Sequence, residues 1–169
     1  MSKRVAIVAL AGWALVVANP LWAADVELTT RVSGMVEEVL VKPGQRVKKG
    51  TVLLRLERTV LQARLDEAAA EEMRAQADEA DAKREQERAQ ELFNRTVSSS
   101  SELEAATLRH ARAQAARAAA EARRAIAQKN LKDAELRAPF DGVVKAVPGA
   151  PGTVVAADCQ PRPLVVIAR

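Results

Sequence analysis

Apolar residues fall along this chain in three regimes. From Val32 to Leu56 they are valines and leucines in short runs broken by Gly34, Pro43-Gly44 and Gly50, a β pattern punctuated by turns. From Gly142 to Ile167 the same style returns, with Gly142, Gly149 and Pro151-Gly152 as punctuation. Between them, the 88 residues from Thr51 to Ala138 contain neither glycine nor proline and are rich in Ala, Glu, Arg, Gln and Leu, the best helix formers. A serine run from Ser98 to Ser101 interrupts this interval, and Ser99 with Glu102 has capping-box spacing, so a second helix starts there. The pattern predicts one helix from about Arg58 to Arg95 and another from about Ser101 to Ala134, antiparallel and each about 50 Å long.

Heptad spacing suggests how the helices meet. In the first, Leu61, Ala68, Ala75, Ala82 and Ala89 recur every seven residues, with polar Glu72, Glu79 and Gln86 between them. In the second, Leu108, Ala111, Ala115, Ala118, Ala122 and Ala125 alternate three- and four-residue steps and are taken as the facing seam. An alanine seam permits close approach but buries little area, so its hydrophobic gain is modest.

The two β regions are copies of each other at an offset of 108 residues: Gly34, Val36, Val39, Pro43, Gly44 and Val47 match Gly142, Val144, Val147, Pro151, Gly152 and Val155. Neither copy is long enough to bury a core alone. The expected fold is therefore α+β, a small pseudo-twofold β-sandwich with a long antiparallel coiled-coil hairpin inserted between its halves. The corresponding divisions are a first β half at 24–57, the hairpin at 58–134 with its tip at about 96–101, and a second β half at 135–169.

Charge and composition narrow the function. The N-terminus shows Lys3 and Arg4, a 13-residue apolar run from Val5 to Val17, then Pro20 and the small pair Ala23-Ala24, the order of a secretory signal peptide spanning residues 1–23. That run is shorter than the roughly 20 residues of a membrane-spanning helix. The expected location is the periplasm, with association at the inner membrane as the alternative. The lone Cys159, near the other end of the chain, is no lipobox cysteine, so the protein is not expected to be a lipoprotein. The formal net charge of +4 is spread among interleaved acids and bases, and only Phe93 and Phe140 supply rings beyond Trp22, which argues against nucleic-acid binding by base stacking. His110 stands apart from other ligand-type side chains and reads as a solvated helix residue. With no paired acid and base, nucleophile or metal cluster, no enzyme activity, metal or cofactor is expected.

Two stretches resemble a known family. Val32-Ser-Gly-Met-Val-Glu-Glu-Val-Leu-Val-Lys-Pro-Gly-Gln-Arg-Val-Lys-Lys-Gly50 resembles the first half of a biotinyl/lipoyl-like domain. Leu136-Arg-Ala-Pro-Phe-Asp-Gly-Val-Val144 resembles the opening of its second half in HlyD-like periplasmic adaptors, also called membrane fusion proteins. The resemblance implies an adaptor joining an inner-membrane transporter, of RND or ABC type, to a TolC-like outer-membrane channel, and working as a homo-oligomer. It also implies a tip contact through an arginine, a leucine four residues on and a serine seven beyond that, a pattern matched by Arg88, Leu92 and Ser99. The lysine that carrier domains modify is replaced by the hairpin entry at Arg58 and Thr59, so lipoylation and biotinylation are not expected. Family members usually continue into a β-barrel and a membrane-proximal domain, which these 169 residues do not include. The alternative is an exported coiled-coil scaffold derived from a truncated adaptor.

Overall fold

The structure is a computed structural model and describes residues 25–157 and 162–169. The signal-peptide region and Cys159 lie outside the described residues. Among the described residues, eight strands and two helices follow in the order β1 (Asp25–Leu28), β2 (Gly34–Val39), β3 (Arg46–Val47), β4 (Val52–Leu56), α1 (Thr59–Asn94), α2 (Ser100–Asp133), β5 (Glu135–Arg137), β6 (Gly142–Ala146), β7 (Val154–Val155) and β8 (Val165–Ala168). One sheet runs β1-β8-β6-β3 and the other β5-β4-β2-β7, so each sheet draws strands from both halves of the chain.

The internal repeat becomes a local twofold in the hydrogen bonding. The Gly44 N–H donates to Val144 O at 2.7 Å, and the Gly152 N–H donates to Val36 O at 2.8 Å. Val36 N–H reaches Thr153 O and Val144 N–H reaches Gln45 O, again the same bond seen twice. Gly44 and Gly152 both have φ of 85°, a left-handed conformation that explains why glycine stands at both positions. Both β2 and β6 carry a register shift at equivalent places, after Val36 and after Val144. Gly142 has a different reason to be glycine, since a Cβ there would lie 2.3 Å from the Ala168 carbonyl oxygen. Val36, Leu53, Leu54, Leu56, Val144 and Ile167 form the centre of the core, each essentially inaccessible.

The hairpin is rooted in that core. Leu61, Leu131 and Ala134 belong to the same buried cluster as the strands, and the Leu56 N–H donates to Ala134 O at 2.8 Å. Outside the core, Glu135 meets Arg55 at 3.6 Å and Arg58 at 3.9 Å, and also pairs with Arg137. These contacts set the direction in which α1 leaves the sandwich and α2 returns.

Further out, the helices meet on a seam that corrects the sequence expectation for α2. Leu108, Ala111, Ala115, Ala118, Ala122 and Ala125 all lie exposed on the outer side. The facing positions are instead Leu103, Ala106, His110, Ala113, Arg117, Ala120, Arg124 and Ala127, two residues earlier or later in the heptad. Alanine occurs on both faces of α2, so apolar spacing alone does not discriminate between them. The polar layers decide: Arg124 donates to Glu72 at 2.9 Å, Arg117 donates to Glu79 at 2.9 Å, and His110 Nδ1 donates to Gln86 Oε1 at 2.6 Å. His110 is thus a half-buried seam residue with its Nε2 atom buried, not the solvated side chain that its isolation in sequence suggested. Alanines from the two helices alternate with these rungs, and Ala75, Ala106 and Ala120 are buried.

Candidate functional site: the hairpin tip

The tip is made by two local signals that work from opposite sides. On the α2 side, Ser99 is the N-cap: its Oγ accepts from the Glu102 N–H at 3.4 Å, and the Ser99 N–H donates to Glu102 Oε2 at 3.3 Å. This is the reciprocal capping box that relieves two unpaired helix donors. Ser98 also donates to Glu102, and this bond, with the Ser99 N–H, holds the Glu102 carboxyl below its ordinary value. On the α1 side the last turn closes through the Arg95 N–H to Glu91 O, the Thr96 N–H to Phe93 O and the Val97 N–H to Leu92 O. No basic residue stands in the last turn of α1.

Of the three residues expected at the tip, Arg88 and Leu92 line one groove of about 360 Å³ between the two helices. Ser98 and Glu102 line it as well, whereas Ser99 does not. The Ser99 hydroxyl is engaged in the cap and lies 3.2 Å from Ser101 Oγ. Glu85 and Arg109 form an ion pair across the same groove. Leu92, outside the seam, leaves 39% of its surface exposed, Phe93 leaves 40% and Val97 leaves 74%. Sequence pattern gives Phe93 and Val97 no place at the tip contact, although the lack of charge from Thr96 to Ser101 marks this turn as different from the rest of the hairpin.

Behind the tip, electrostatics favour the paired hairpin. Helix α1 carries ten acidic and five basic side chains, a net charge of −5, while α2 carries four acidic and seven basic, a net charge of +3. The hydrogen bond from Arg117 is the main cause that holds the Glu79 carboxyl below its ordinary value, and Glu79 in turn raises Arg117. Among the described residues no group of three or more His, Cys, Asp or Glu side chains is placed to hold a metal. No helix among them is long and apolar enough to cross a membrane. The arrangement offers a long lever with a polar and apolar end, suited to contact with another macromolecule.

A split lipoyl-like sandwich carrying such a hairpin is the architecture of the membrane fusion, or periplasmic adaptor, proteins. Residues 24–161 match the family described as "CzcB-like, barrel-sandwich hybrid domain", and the chain belongs to that family. The uncharacterized protein YdhJ of Escherichia coli (strain K12) is 36% identical over 151 residues, which cover 83% of this chain and 52% of YdhJ. The efflux pump periplasmic linker BepF of Brucella suis biovar 1 (strain 1330) is 41% identical over 75 residues, covering 44% of this chain and 18% of BepF. Among solved structures, a MacA-MexA chimera containing the Pseudomonas aeruginosa MexA α-hairpin domain superposes with a TM-score of 0.60 at 26% identity, over 86% of this chain and 46% of the chimera. The chain therefore spans about half the length of these relatives, or less.

Proposed function

We propose that this protein is a periplasmic adaptor subunit of a tripartite efflux or secretion system, linking an inner-membrane transporter to a TolC-like outer-membrane channel. In this reading residues 1–23 are a signal peptide, 24–57 and 135–169 the two halves of the lipoyl-like domain, and 58–134 the hairpin. The mechanism is geometric. The sandwich fixes the root of the hairpin, the seam keeps the two helices in register over about 50 Å, and the tip presents Arg88, Leu92 and Ser99 to the channel. The observation that carries the reading is that Arg88 and Leu92 share one groove at the exposed end of the hairpin, beside the serine turn. Within it, Ser99 acts through the cap that shapes the turn, while Arg88 and Leu92 supply direct contact.

Photo-crosslinking in intact cells tests this reading, with a probe at Ser101, which spares the cap, and a control at the exposed mid-hairpin residue Arg84. The expected outcome is an adduct with an outer-membrane channel from the tip position alone. Leu92→Ala is expected to reduce that adduct about tenfold, as loss of a contact worth about 1.4 kcal/mol would. Self-adducts at both positions, with no channel adduct, would instead support an exported coiled-coil scaffold.

A further inference from the structure

The turn at the end of α1 rests on an unusual residue. The Thr96 N–H donates to Phe93 O at 2.9 Å and the Val97 N–H to Leu92 O at 3.0 Å, the two bonds of a Schellman helix end. The left-handed position of that motif usually belongs to glycine, yet here it is Thr96, with φ of 60°. A β-branched residue is strained in this conformation, and no other residue apart from glycine has positive φ among the described residues. The motif ties the backbone of Val97 to the carbonyl of Leu92, so both side chains are displayed at the same end of the hairpin. Val97 is 74% exposed, more than any other large apolar side chain of the two helices and their turn. It also lies in the longest uncharged run between residues 59 and 133, Thr96 to Ser101.

We propose that Val97 is a further partner-contact residue of the tip, acting with Arg88 and Leu92, and that Thr96 is the positioning residue that presents it. The inference rests on the adaptor reading above and names the chemistry of the surface that the tip meets. That surface is an uncharged, apolar-walled notch on the channel, with hydrogen-bonding groups that can meet the exposed Ser100 and Ser101. A charged partner surface would bring its ions, desolvated, against six residues that carry no charge. The strain at Thr96 is held by the turn's own hydrogen bonds and by the capping box that follows it.

The test is the yield of the channel adduct from the Ser101 probe in the full chain, compared among Val97→Asp, Val97→Ser, Thr96→Pro, Thr96→Gly and Leu92→Ala. Circular dichroism of each purified variant checks that helix content is retained. Val97→Asp is expected to lower the adduct about tenfold or more and Val97→Ser by a smaller factor, as for loss of a buried anchor. Thr96→Pro, which cannot take positive φ, is expected to match Val97→Asp, while Thr96→Gly retains the full yield because glycine adopts the same turn. If Leu92→Ala lowers the adduct and both Val97 variants leave it unchanged, the role of Val97 is overturned and the adaptor reading stands. If Thr96→Gly fails as Thr96→Pro does, positioning by Thr96 is overturned. Absence of any channel adduct from the unsubstituted chain overturns the adaptor reading and this inference with it.

Discussion

The β domain and the hairpin each hold two similar pieces of chain in one register, but they do so with opposite chemistry. In the β domain, matched turns exchange the same backbone hydrogen bonds, and branched side chains such as Val36, Val144 and Ile167 fill the space between sheets. In the hairpin, alanine layers allow close approach but have little shape to fix the alignment. Register there falls to the rungs Glu72–Arg124, Glu79–Arg117 and Gln86–His110, which recur every seven residues on each helix. Sliding one helix past the other by less than a heptad would separate all three rungs at once. The β domain thus concentrates stability in bulk, whereas the hairpin distributes specificity along its length at low bulk.

The sharpest way to break this comparison is to remove bulk from each side. Leu56 lies fully buried at the foot of α1, and Leu56→Ala is expected to cost about 2–5 kcal/mol in denaturant unfolding, from lost transfer energy and the cavity left behind. The buried positions of the seam away from its root, Ala75, Ala106 and Ala120, are alanines and have no side chain of comparable size to lose. A comparable loss from any seam alanine changed to glycine would show that the hairpin holds more of the stability than its burial indicates.

Adding bulk separates the two faces of α2. Ala120 is buried between the Arg117 and Arg124 rungs, at the level of the buried Ala75 of α1, so Ala120→Leu is expected to force the helices apart at a cost of about 1–3 kcal/mol. Ala118, two residues away, points outward, and Ala118→Leu is expected to stay within about 0.5 kcal/mol of the parent. Thermal melts followed by helix ellipticity give both values. The opposite ranking would restore the seam of Leu108, Ala111 and Ala115.

That contrast also shows what was legible in the sequence. The fold could be read because its requirements are local: left-handed turns demand Gly44 and Gly152, helices exclude glycine and proline, and Ser99 with Glu102 marks a helix start. The 108-residue offset exposes the pseudo-twofold because both copies must satisfy the same geometry. The α2 seam was not legible from apolar spacing, since His110, Arg117 and Arg124 occupy places that such spacing assigns to apolar residues. Their complement was nevertheless visible, because Glu72, Glu79 and Gln86 repeat with the same period on α1. At the tip, only the resemblance to the adaptor family's arginine, leucine and serine pattern points to Arg88 and Leu92. The role proposed for Val97 has no such signal, because it rests on Thr96 adopting a conformation that its side chain disfavours.

The smallest expected effect is the most specific to the rungs. Glu79 accepts from Arg117, and that bond keeps its carboxyl below the ordinary glutamate value of 4.5. A carboxylate with a lowered value binds fewer protons in the folded hairpin than in the unfolded chain, so it contributes stability above 4.5 and loses that contribution as pH falls through the lowered value. Glu79→Gln cannot form the ion pair, so it is expected to melt at a lower temperature than the parent at about pH 7 and to converge on it in acid, once the pH has fallen through the lowered value of Glu79. Added salt narrows the difference at neutral pH, because Arg117 and the far side of the rung remain partly exposed. An equal gap between parent and variant at both pH values would show that Glu79 supports the seam by packing alone, leaving its pairing with Arg117 without a part in setting the register.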